Sequence, residues 1–378
     1  QYVAMTYNGS QVKVYLNGIE DGTLSHTGNI DISANNVYIG CWNGSIQYYR
    51  GIIDEVGIRD IALTAAGIQG NYEYYFRFRK LSHNLVSSYL ENQAVYANGY
   101  VWFVANLAGK LLRVDSQTGE MTSYDLNISH PRAICFDGTY LWIGGGAEPA
   151  KFLKFNPNTC QIVNTYSCST GQNYIMGSVY DGTSVWMSMM TSPTAKYIKI
   201  NPSNGSYTAY NPSGTGDGHG MCYDGTYVWI AFQTSPAKYG KISPNDGSIT
   251  VYTAPTGWNV GTAMCFDGTY VWMGTYNDTV TPARLLRINL LNGSYTTFQA
   301  ANSVDHIVLT ITFVSNDYLW VGLETQPGRY MRIEPNSMNY TSFSVPGIIA
   351  SGSSAFDGKH IWFGGVGTSY VVKGYPKD

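Results

Sequence analysis

Three histidines stand where an imidazole could move a proton or bind a metal ion. His130, His219 and His306 each lie just before or at the start of an apolar segment, and two of them have an aspartate nearby, in Asp217-Gly218-His219-Gly220 and Asp305-His306. An imidazole serves as a general base near neutral pH. A metal site needs several converging ligands, which scattered single histidines do not predict. We therefore expect no metal ion and no cofactor.

Tyr174 and Trp258 occupy comparable positions, outside the strand pattern described below. Aromatic side chains offer a large contact area at low entropy cost and stack on sugar faces. They could instead plug the mouth of a channel, and the sequence leaves both interpretations open. The candidate ligand-binding residues are His130, Arg132, Tyr174, Asp217, His219, Trp258, Asp305 and His306.

No established catalytic motif accompanies these residues. The sequence contains no Gly-x-Ser-x-Gly, no His-Glu-x-x-His and no phosphate-binding loop. The carboxylates of Asp217 and Asp305 belong to repeats that are two units apart, so they do not predict the paired acids of a glycosidase. We expect no catalytic residues and a chain that is not an enzyme.

A repeat positions the candidates. Phe136-Asp137-Gly138-Thr139-Tyr140-Leu141-Trp142 shows its pattern: an apolar strand, an Asp-Gly pair that predicts a two-residue turn, and a second strand that carries a tryptophan. The tryptophans recur every 40 to 48 residues, at Trp102, Trp142, Trp186, Trp229, Trp272, Trp320 and Trp362. This period, with four short strands per unit, is typical of propeller blades. We predict an all-β chain in which residues 84–378 form a seven-bladed β-propeller.

The loops that enter the first strand of each unit would share one face of this ring, which brings the candidates together. The last unit has only three strands in sequence, within 354–356, 360–364 and 370–373. Leu85–Tyr89 would add the fourth strand and close the ring. Basic residues recur on the third strands, and they predict either stems packed between blades or a ring that captures an anion. The regular set is Lys110, Lys151, Lys196, Lys238, Arg284 and Arg329, followed three residues later by Arg113, Lys154, Lys199, Lys241, Arg287, Arg332 and Lys373.

Residues 1–75 carry a different pattern, of alternating strands and Asn-Gly turns. The segments VAMTYNGSQVKVYLNG, VYIGCW and GIIDEVGIRDIALTAAGIQ resemble the second half of a laminin-G-like, concanavalin-A-like jelly roll. The closing motif of that family is present in 54–56 and 62–64, with a departure at Gly67, where an acidic residue is usual. The resemblance implies a half sandwich with one exposed sheet face. Residues 72–83 alternate aromatic and basic types, which predicts either a connecting strand at the domain junction, with 76–83 as the linker, or a basic-aromatic binding strip.

The propeller repeats resemble those of streptogramin lyases, with GKLLRVDSQTGEMTSYDL in that family's spacing. Asp217-Gly218-His219-Gly220 is similar to the family's acid-x-His-Gly element. The family also needs a histidine in a neighbouring blade, but the aligned residues here are Met176 and Thr262. Lyase chemistry is therefore only an alternative.

Composition narrows the class of protein. A net charge of -3 over 378 residues gives no sign of nucleic-acid binding. The sequence contains no run of eighteen apolar residues, so it predicts no membrane-spanning helix.

The cysteines predict free thiols rather than a disulfide framework. Cys135, Cys222 and Cys265 share one strand position, which predicts buried free thiols, and Cys160 and Cys168 are too far apart along a strand to bridge. The start at Gln1 suggests a piece of something longer, with possible homo-oligomerisation through a missing N-terminal region.

Seven Asn-x-Ser/Thr triplets are candidate glycosylation sites if the chain is exported. They begin at Asn8, Asn43, Asn127, Asn204, Asn277, Asn292 and Asn339. The combined interpretation is a non-catalytic binding protein, extracellular or on a cell or virion surface, that recognises glycans or glycoproteins. A structural component of a virion, spike or surface filament is the second alternative beside the lyase.

Overall fold

The structure is a computed structural model. It describes residues 3–16, 18–28, 62–65, 68, 78–83, 85, 89–90, 92–190, 193, 196–276, 282–301, 307–314, 318–345, 347–367 and 370–375. The chain divides into two compact units, 1–79 and 80–378. This division lies inside the segment 76–83 that was expected to link two modules.

The first unit contains a three-stranded antiparallel sheet. Its strands are β1 (Val3–Tyr7), β2 (Gln11–Leu16) and β3 (Ile19–Ser25), in that order. Asn8 turns the chain between β1 and β2, since its Oδ1 accepts the backbone N–H groups of Ser10 and Gln11 at 3.0 and 2.9 Å. Farther along, the N–H of Ile68 donates to the carbonyl of Thr64 at 2.9 Å, as in one helical turn. The strands expected within 36–40 and 51–58 lie outside the described residues.

One face of this sheet is apolar and exposed. The register pairs Met5 with Val14 and Val12 with Leu24, and residues paired across antiparallel strands point to the same face. Met5 is 72% exposed and Leu24 67%. Val3 and Ile19 extend the same face and are exposed to a similar degree. The exposed sheet face that the half-sandwich interpretation implies is therefore present.

The second unit consists of seven four-stranded antiparallel sheets. In the first four sheets the strands are β5 (Ala94–Ala97), β6 (Tyr100–Ala105), β7 (Lys110–Asp115), β8 (Met121–Asp125); β9 (Pro131–Phe136), β10 (Leu141–Gly145), β11 (Lys151–Asn156), β12 (Gln161–Ser167); β13 (Ile175–Tyr180), β14 (Val185–Met189), β15 (Tyr197–Ile200), β16 (Tyr207–Tyr210); and β17 (Asp217–Tyr223), β18 (Val228–Gln233), β19 (Lys238–Ile242), β20 (Ile249–Thr253).

The remaining three sheets continue this order, and the last one borrows a strand from the start of the unit. Their strands are β21 (Gly261–Phe266), β22 (Tyr270–Thr275), β23 (Arg284–Asn289), β24 (Tyr295–Gln299); β25 (Val308–Val314), β26 (Tyr318–Leu323), β27 (Gly328–Ile333), β28 (Tyr340–Val345); and β29 (Ser351–Phe356), β30 (Ile361–Gly365), β31 (Tyr370–Gly374) with β4 (Phe78–Ser82). The first strands of neighbouring sheets contact one another around a closed ring, from β5 through β9, β13, β17, β21, β25 and β29 back to β5. The unit is a β-propeller with its inner strands around one axis.

The strand that closes the ring is not the expected one. Leu85–Tyr89 was predicted to pair with the last unit, but Phe78–Ser82 (β4) forms its fourth strand beside β31. The segment 76–83 is therefore more than a linker. Leu90 instead lies at the inner side of the last sheet, where its N–H donates to the carbonyl of Gly365 at 3.2 Å and its own carbonyl accepts from Ser353 Oγ at 2.8 Å.

The Asp-Gly segments form longer turns than predicted. Only the first copy, Asn98-Gly99, is a two-residue turn, since Ala97 pairs with Tyr100 and both turn residues have positive φ. In the Asp137 copy the turn spans four residues, and the N–H of Asp137 donates to the carbonyl of Tyr140 at 3.0 Å. The extra length lets the aspartate side chain act as an acceptor for its own turn.

The aspartate links each turn to its tryptophan. In the second sheet Asp137 Oδ1 accepts two backbone N–H groups at 2.8 and 2.6 Å, and Oδ2 accepts the indole N–H of Trp142 at 2.7 Å. The same bond joins Asp181 to Trp186, Asp224 to Trp229, Asp267 to Trp272 and Asp357 to Trp362. All seven repeat tryptophans are fully buried. In these five sheets the repeat thus encodes a packed indole whose buried N–H donates to the aspartate of the preceding turn.

The basic residues of the third strands link neighbouring sheets through hydrogen bonds. Lys241 of the fourth sheet donates to the carbonyl of Leu290 in the fifth at 2.5 Å, while its ammonium lies 4.0 Å from the ring centroid of Tyr227. Lys154, Lys199, Arg287 and Lys373 make the equivalent bond to a carbonyl, and Arg113 reaches Cys160 Sγ. Two residues of the other basic set, Lys110 and Lys196, pair instead with the carboxylates of Asp125 and Asp217 at 2.6 and 3.1 Å. These contacts support the interpretation of side chains packed between blades over that of a ring that captures an anion.

Candidate functional site

The candidate site lies on the face where the inner strands begin. The connections into the inner strands meet the connections between second and third strands there. The N–H of Gly146 donates to the carbonyls of Ser129 and His130 at 3.0 Å, and the N–H of Ala237 donates to the carbonyl of Trp258 at 2.6 Å. The Asp-Gly turns follow the other ends of the inner strands. We call the first surface the entry face and the second the turn face.

A β-bulge interrupts six of the seven inner strands close to the entry face. In β9, Ala133 pairs with Gly144 and Pro131 with Gly145, so Arg132 is left without a partner in the ladder. The other residues skipped in this way are Met176, His219 with Gly220, Thr262 with Ala263, Leu309 and Gly352. Bulges re-aim side chains and are frequent at functional sites. We call this set the bulge ring.

Arg132 is the cation of the bulge ring. Its Nη1 donates to the thioether sulfur of Met176 in the neighbouring inner strand at 3.4 Å. Its Nε is buried and has no hydrogen-bond partner. No carboxylate of the described residues lies within ion-pair distance of it. A thioether is a weak acceptor, so most of the donor capacity of this guanidinium is unused.

His219 is the next polar member of the ring. Its Nδ1 lies 3.3 Å from the carbonyl oxygen of Thr262, the skipped residue of the following strand. A carbonyl only accepts, so Nδ1 carries the proton and Nε2 is the acceptor. Burial lowers the pKa of His219 to about 4, a net result in which the bond to the Thr262 carbonyl raises the pKa and the positive charge of Arg132 lowers it. The imidazole is therefore neutral at pH 7.

Gln93 ties two inner strands together just beyond the ring. Its Oε1 accepts the backbone N–H of Ser178 at 2.7 Å and that of Ile134 at 3.2 Å, and its Nε2 donates to the carbonyl of Ser178 at 2.8 Å. Ile134 and Ser178 each lie two residues after a ring member. The Oε1 of this amide is thus occupied and does not serve as an acceptor for the guanidinium.

His130 and Tyr174 meet above the second and third sheets. Both precede an inner strand by one residue and have positive φ, 48° and 45°. Gly146 separates them: a Cβ there would lie 2.8 Å from Tyr174 Cδ1 and 3.2 Å from His130 Cβ. The glycine therefore permits the close approach of an exposed imidazole and a half-buried phenol ring.

Asp217 and Trp258 are each held by a basic residue at the start of a third strand. Asp217 Oδ1 lies 3.1 Å from Lys196 Nζ. The guanidinium of Arg284 lies 5.2 Å from the ring centroid of Trp258 and donates to the carbonyl of Gly257 at 2.9 Å. Trp258 is half-buried, and its ring packs on the edge of the core between the fourth and fifth sheets. The side chain of Trp258 is therefore held against the core and Arg284 and is not a loose side chain in the mouth of the channel.

The structure corrects the placement of some predicted residues. Arg132, Asp217 and His219 were expected in loops, but they lie on inner strands, in β9 and β17. Arg132 and His219 belong to one ring, and His130 and Tyr174 both lie beside Gly146. Asp305 and His306 lie outside the described residues. The sequence analysis missed Gln93, Met176 and Thr262 as members of the site, although the alignment had placed Met176 and Thr262 beside His219.

Metal and thiol chemistry find little support. In the described parts of the chain no three His, Cys, Asp or Glu side chains converge as metal ligands would. Cys135, Cys222 and Cys265 are free, as predicted, and Cys160 and Cys168, whose mutual bridge was excluded, are free as well, while Cys41 lies outside the described residues. Burial raises the pKa of Cys135 to about 12, so this thiol is unreactive at neutral pH. The five described sequon asparagines, Asn8, Asn127, Asn204, Asn292 and Asn339, are exposed.

Comparisons with known proteins agree with both parts of the description. Residues 1–69 match the model of the concanavalin A-like lectin/glucanases superfamily. No curated protein sequence matches the chain. In the described residues, no helix has the length and apolar character to cross a membrane.

Solved structures resemble the propeller. A streptogramin B lyase is 16% identical with a TM-score of 0.64, covering 79% of this chain and 97% of that one. A catalytically inactive virginiamycin B lyase from Staphylococcus aureus, with quinupristin, is 17% identical with a TM-score of 0.66 and coverages of 79% and 98%. U3-55K, at 11% identity and a TM-score of 0.64, has coverages of 79% and 98%. At these identities the likeness establishes the β-propeller fold alone.

Proposed function

We propose that this chain is a non-catalytic binding protein that recognises glycans or glycoproteins through the entry face of its propeller. The observation that carries the proposal is the concentration of aromatic and polar side chains there. Tyr174 and Trp258 are half-buried aromatics, and the bulge ring contributes Arg132 and His219 to the same face. Rigid aromatics beside polar groups suit the alternating apolar and hydroxyl surfaces of a sugar.

The proposal includes an exported location, at an extracellular, cell or virion surface. Its supports are the five exposed sequons and the match of residues 1–69 to a superfamily whose description names lectins. Analysis of the purified chain by mass spectrometry, before and after glycosidase treatment, tests export through glycan mass on these asparagines. A chain of unmodified mass from its native source argues against it.

A glycan array tests the binding function directly. The full chain, labelled at an exposed amine, is applied to the array, and an unfolded sample of the same chain serves as the control. Saturable binding to a subset of glycans that the unfolded chain ignores supports the proposal. An array with no specific signal, repeated with glycoproteins, contradicts it.

A lyase is the second candidate, because two of the propellers with this fold described above are lyases and one was solved with quinupristin. The neighbours of His219 in the bulge ring are Met176 and Thr262, neither of which moves a proton at neutral pH. We therefore rank this candidate lower. Incubation with quinupristin, followed by mass spectrometry, tests it: consumption by the wild type that His219→Asn abolishes favours the lyase.

A further inference from the structure

We propose that Arg132 makes the entry face selective for acidic glycans, by binding a sugar carboxylate with its guanidinium at the bulge ring. This inference rests on the proposed function and names its ligand class. It starts from an unsatisfied cation. A guanidinium carries five N–H donors, and Arg132 directs one of its groups to a thioether while its Nε is buried without a partner.

Arg132 is half-buried, and the donor that the protein leaves buried without an acceptor is its Nε. A buried donor of a charged group that has no acceptor costs free energy, and an anion that reaches the guanidinium would offset this cost. The guanidinium fork matches the two oxygens of a carboxylate, which makes arginine the usual residue for this recognition. The bulge at Arg132 also removes this residue from the strand ladder, which frees its side chain from the spacing of the sheet.

The charges around Arg132 leave the position open to a ligand. Asp217, which lies on the entry face in β17, is held by Lys196 at 3.1 Å. Glu148, in the entry-face connection between β10 and β11, is exposed and makes no ion pair with Arg132. His219 is neutral at pH 7 and contributes no competing positive charge. The Oε1 of Gln93 is occupied by N–H groups of Ile134 and Ser178. The guanidinium of Arg132 is therefore the cation of the bulge ring that is available to bind an external carboxylate.

His219 complements this recognition. With its Nδ1 proton directed at the carbonyl of Thr262, Nε2 of the neutral ring is an acceptor. A sugar offers hydroxyl donors next to its carboxylate, whereas a simple anion offers none. A carboxylated sugar thus offers an acceptor to the Arg132 guanidinium and a hydroxyl donor to His219 Nε2. Both groups belong to the bulge ring, so such a sugar is favoured over inorganic anions.

Matched glycans test the inference. The full chain is applied to an array of carboxylate-bearing oligosaccharides, including sialyllactose and glucuronate-terminated sugars, printed beside the same glycans with the carboxyl group reduced to the alcohol. We expect the reduced glycans to bind about tenfold more weakly or worse, as when a charge-assisted hydrogen bond is lost. Equal binding to both members of each pair overturns the inference while leaving the proposed glycan-binding function intact.

Variants assign the effect to Arg132. Arg132→Gln is expected to bind the acidic glycans about tenfold more weakly and the reduced ones unchanged, with Arg132→Lys in between, since lysine keeps the charge but not the fork. Lys359→Gln removes an exposed positive charge from the turn face and is the matched control. Wild-type affinity in Arg132→Gln, or an equal loss in Lys359→Gln, overturns the assignment.

Two further measurements cover the case in which the variant does not fold and the case in which the site binds any anion. If Arg132→Gln does not fold, the Nε–Hε resonance of Arg132 in the wild type must shift on titration with sialyllactose but not with its reduced form, and an unmoved resonance overturns the inference. Sodium acetate at the same concentration must fail to displace the glycan; displacement means a general anion site rather than an acidic-sugar site. Absence of any glycan binding rejects both the inference and the proposed function.

Discussion

The indole N–H of Trp229 donates to Asp224 Oδ2 at 2.7 Å, while Oδ1 of the same carboxylate accepts the N–H groups of Thr226 and Tyr227 at 2.7 and 2.6 Å. One side chain thus closes a turn and satisfies a buried indole five residues later. The first sheet lacks this aspartate, and the indole of Trp102 there makes a longer bond, at 3.3 Å, to the carbonyl of Ala97.

Asp224→Ala should therefore destabilise the propeller. It leaves the buried indole of Trp229 and two turn N–H groups without their acceptor, and we expect a loss of about 1–3 kcal/mol in the free energy of unfolding. Denaturant titration followed by tryptophan fluorescence measures it. Asp125→Ala is the control, since its carboxylate is 72% exposed and pairs only with Lys110. Equal losses in the two variants would show that the Asp–Trp bond contributes no more to the free energy of unfolding than the exposed ion pair of Asp125.

The closing strand predicts where an N-terminal truncation becomes damaging. A chain that begins at residue 77 keeps β4 (Phe78–Ser82), whereas one that begins at residue 83 leaves β31 as an unpaired edge. We expect the thermal midpoint of the shorter chain to fall by several degrees or more, because the ring is no longer completed across its first and last strands. Calorimetry of both chains measures this difference. Identical midpoints would mean that β4 contributes nothing to closure.

The sequence predicts those parts of the fold that depend on contacts within one repeat. It does not predict those that depend on how distant strands pair. The Trp and Asp-Gly period predicts the sheets because each unit repeats the same contacts. The closing strand was misassigned because neither 78–82 nor 85–89 shows a clear strand alternation, and only the pairing with β31 distinguishes them. The bulge ring had no local signal either: Arg132, Met176 and Thr262 share no residue type, and a bulge depends on the register between two strands.

His219 predicts a pH dependence of stability. Its pKa is about 4 in the folded chain, against 6.5 for an ordinary histidine, mainly because of burial. Between these values the unfolded chain binds more protons, so stability rises with pH across this window and is lost as the pH falls from about 6.5 to about 4. The full shift corresponds to about 3 kcal/mol at most. His219→Asn should flatten this part of the profile.

The measurement is the free energy of unfolding at pH 7, 6, 5 and 4 for the wild type and His219→Asn. The difference between the two chains isolates the imidazole from carboxylates that titrate in both. If the two profiles run parallel through the window, His219 is protonated without cost in the folded chain and is not buried as described.

The exposed face of the first unit predicts tolerant positions. Met5 and Leu24 are 72% and 67% exposed, so replacing both with lysine should change the free energy of unfolding by only about 0.5 kcal/mol. The same change should lower the binding of a hydrophobic dye, since it removes the apolar surface. Tyr15→Lys is the contrasting variant, because Tyr15 is 2% exposed. A large loss of stability in the double lysine variant would show that this face is covered.

The central claim is that the entry face is the binding surface. Its most direct test is calorimetric titration of the strongest glycan from the array into wild type, Trp258→Ala and Leu291→Ala. Trp258 lies on the entry face against Arg284, and Leu291 is 90% exposed near the opposite ends of the sheets. We predict that Trp258→Ala weakens binding by about 1–3 kcal/mol, as for a stacked aromatic anchor, while Leu291→Ala binds like the wild type. Unchanged affinity in a folded Trp258→Ala chain, or an equal loss in Leu291→Ala, would contradict the account.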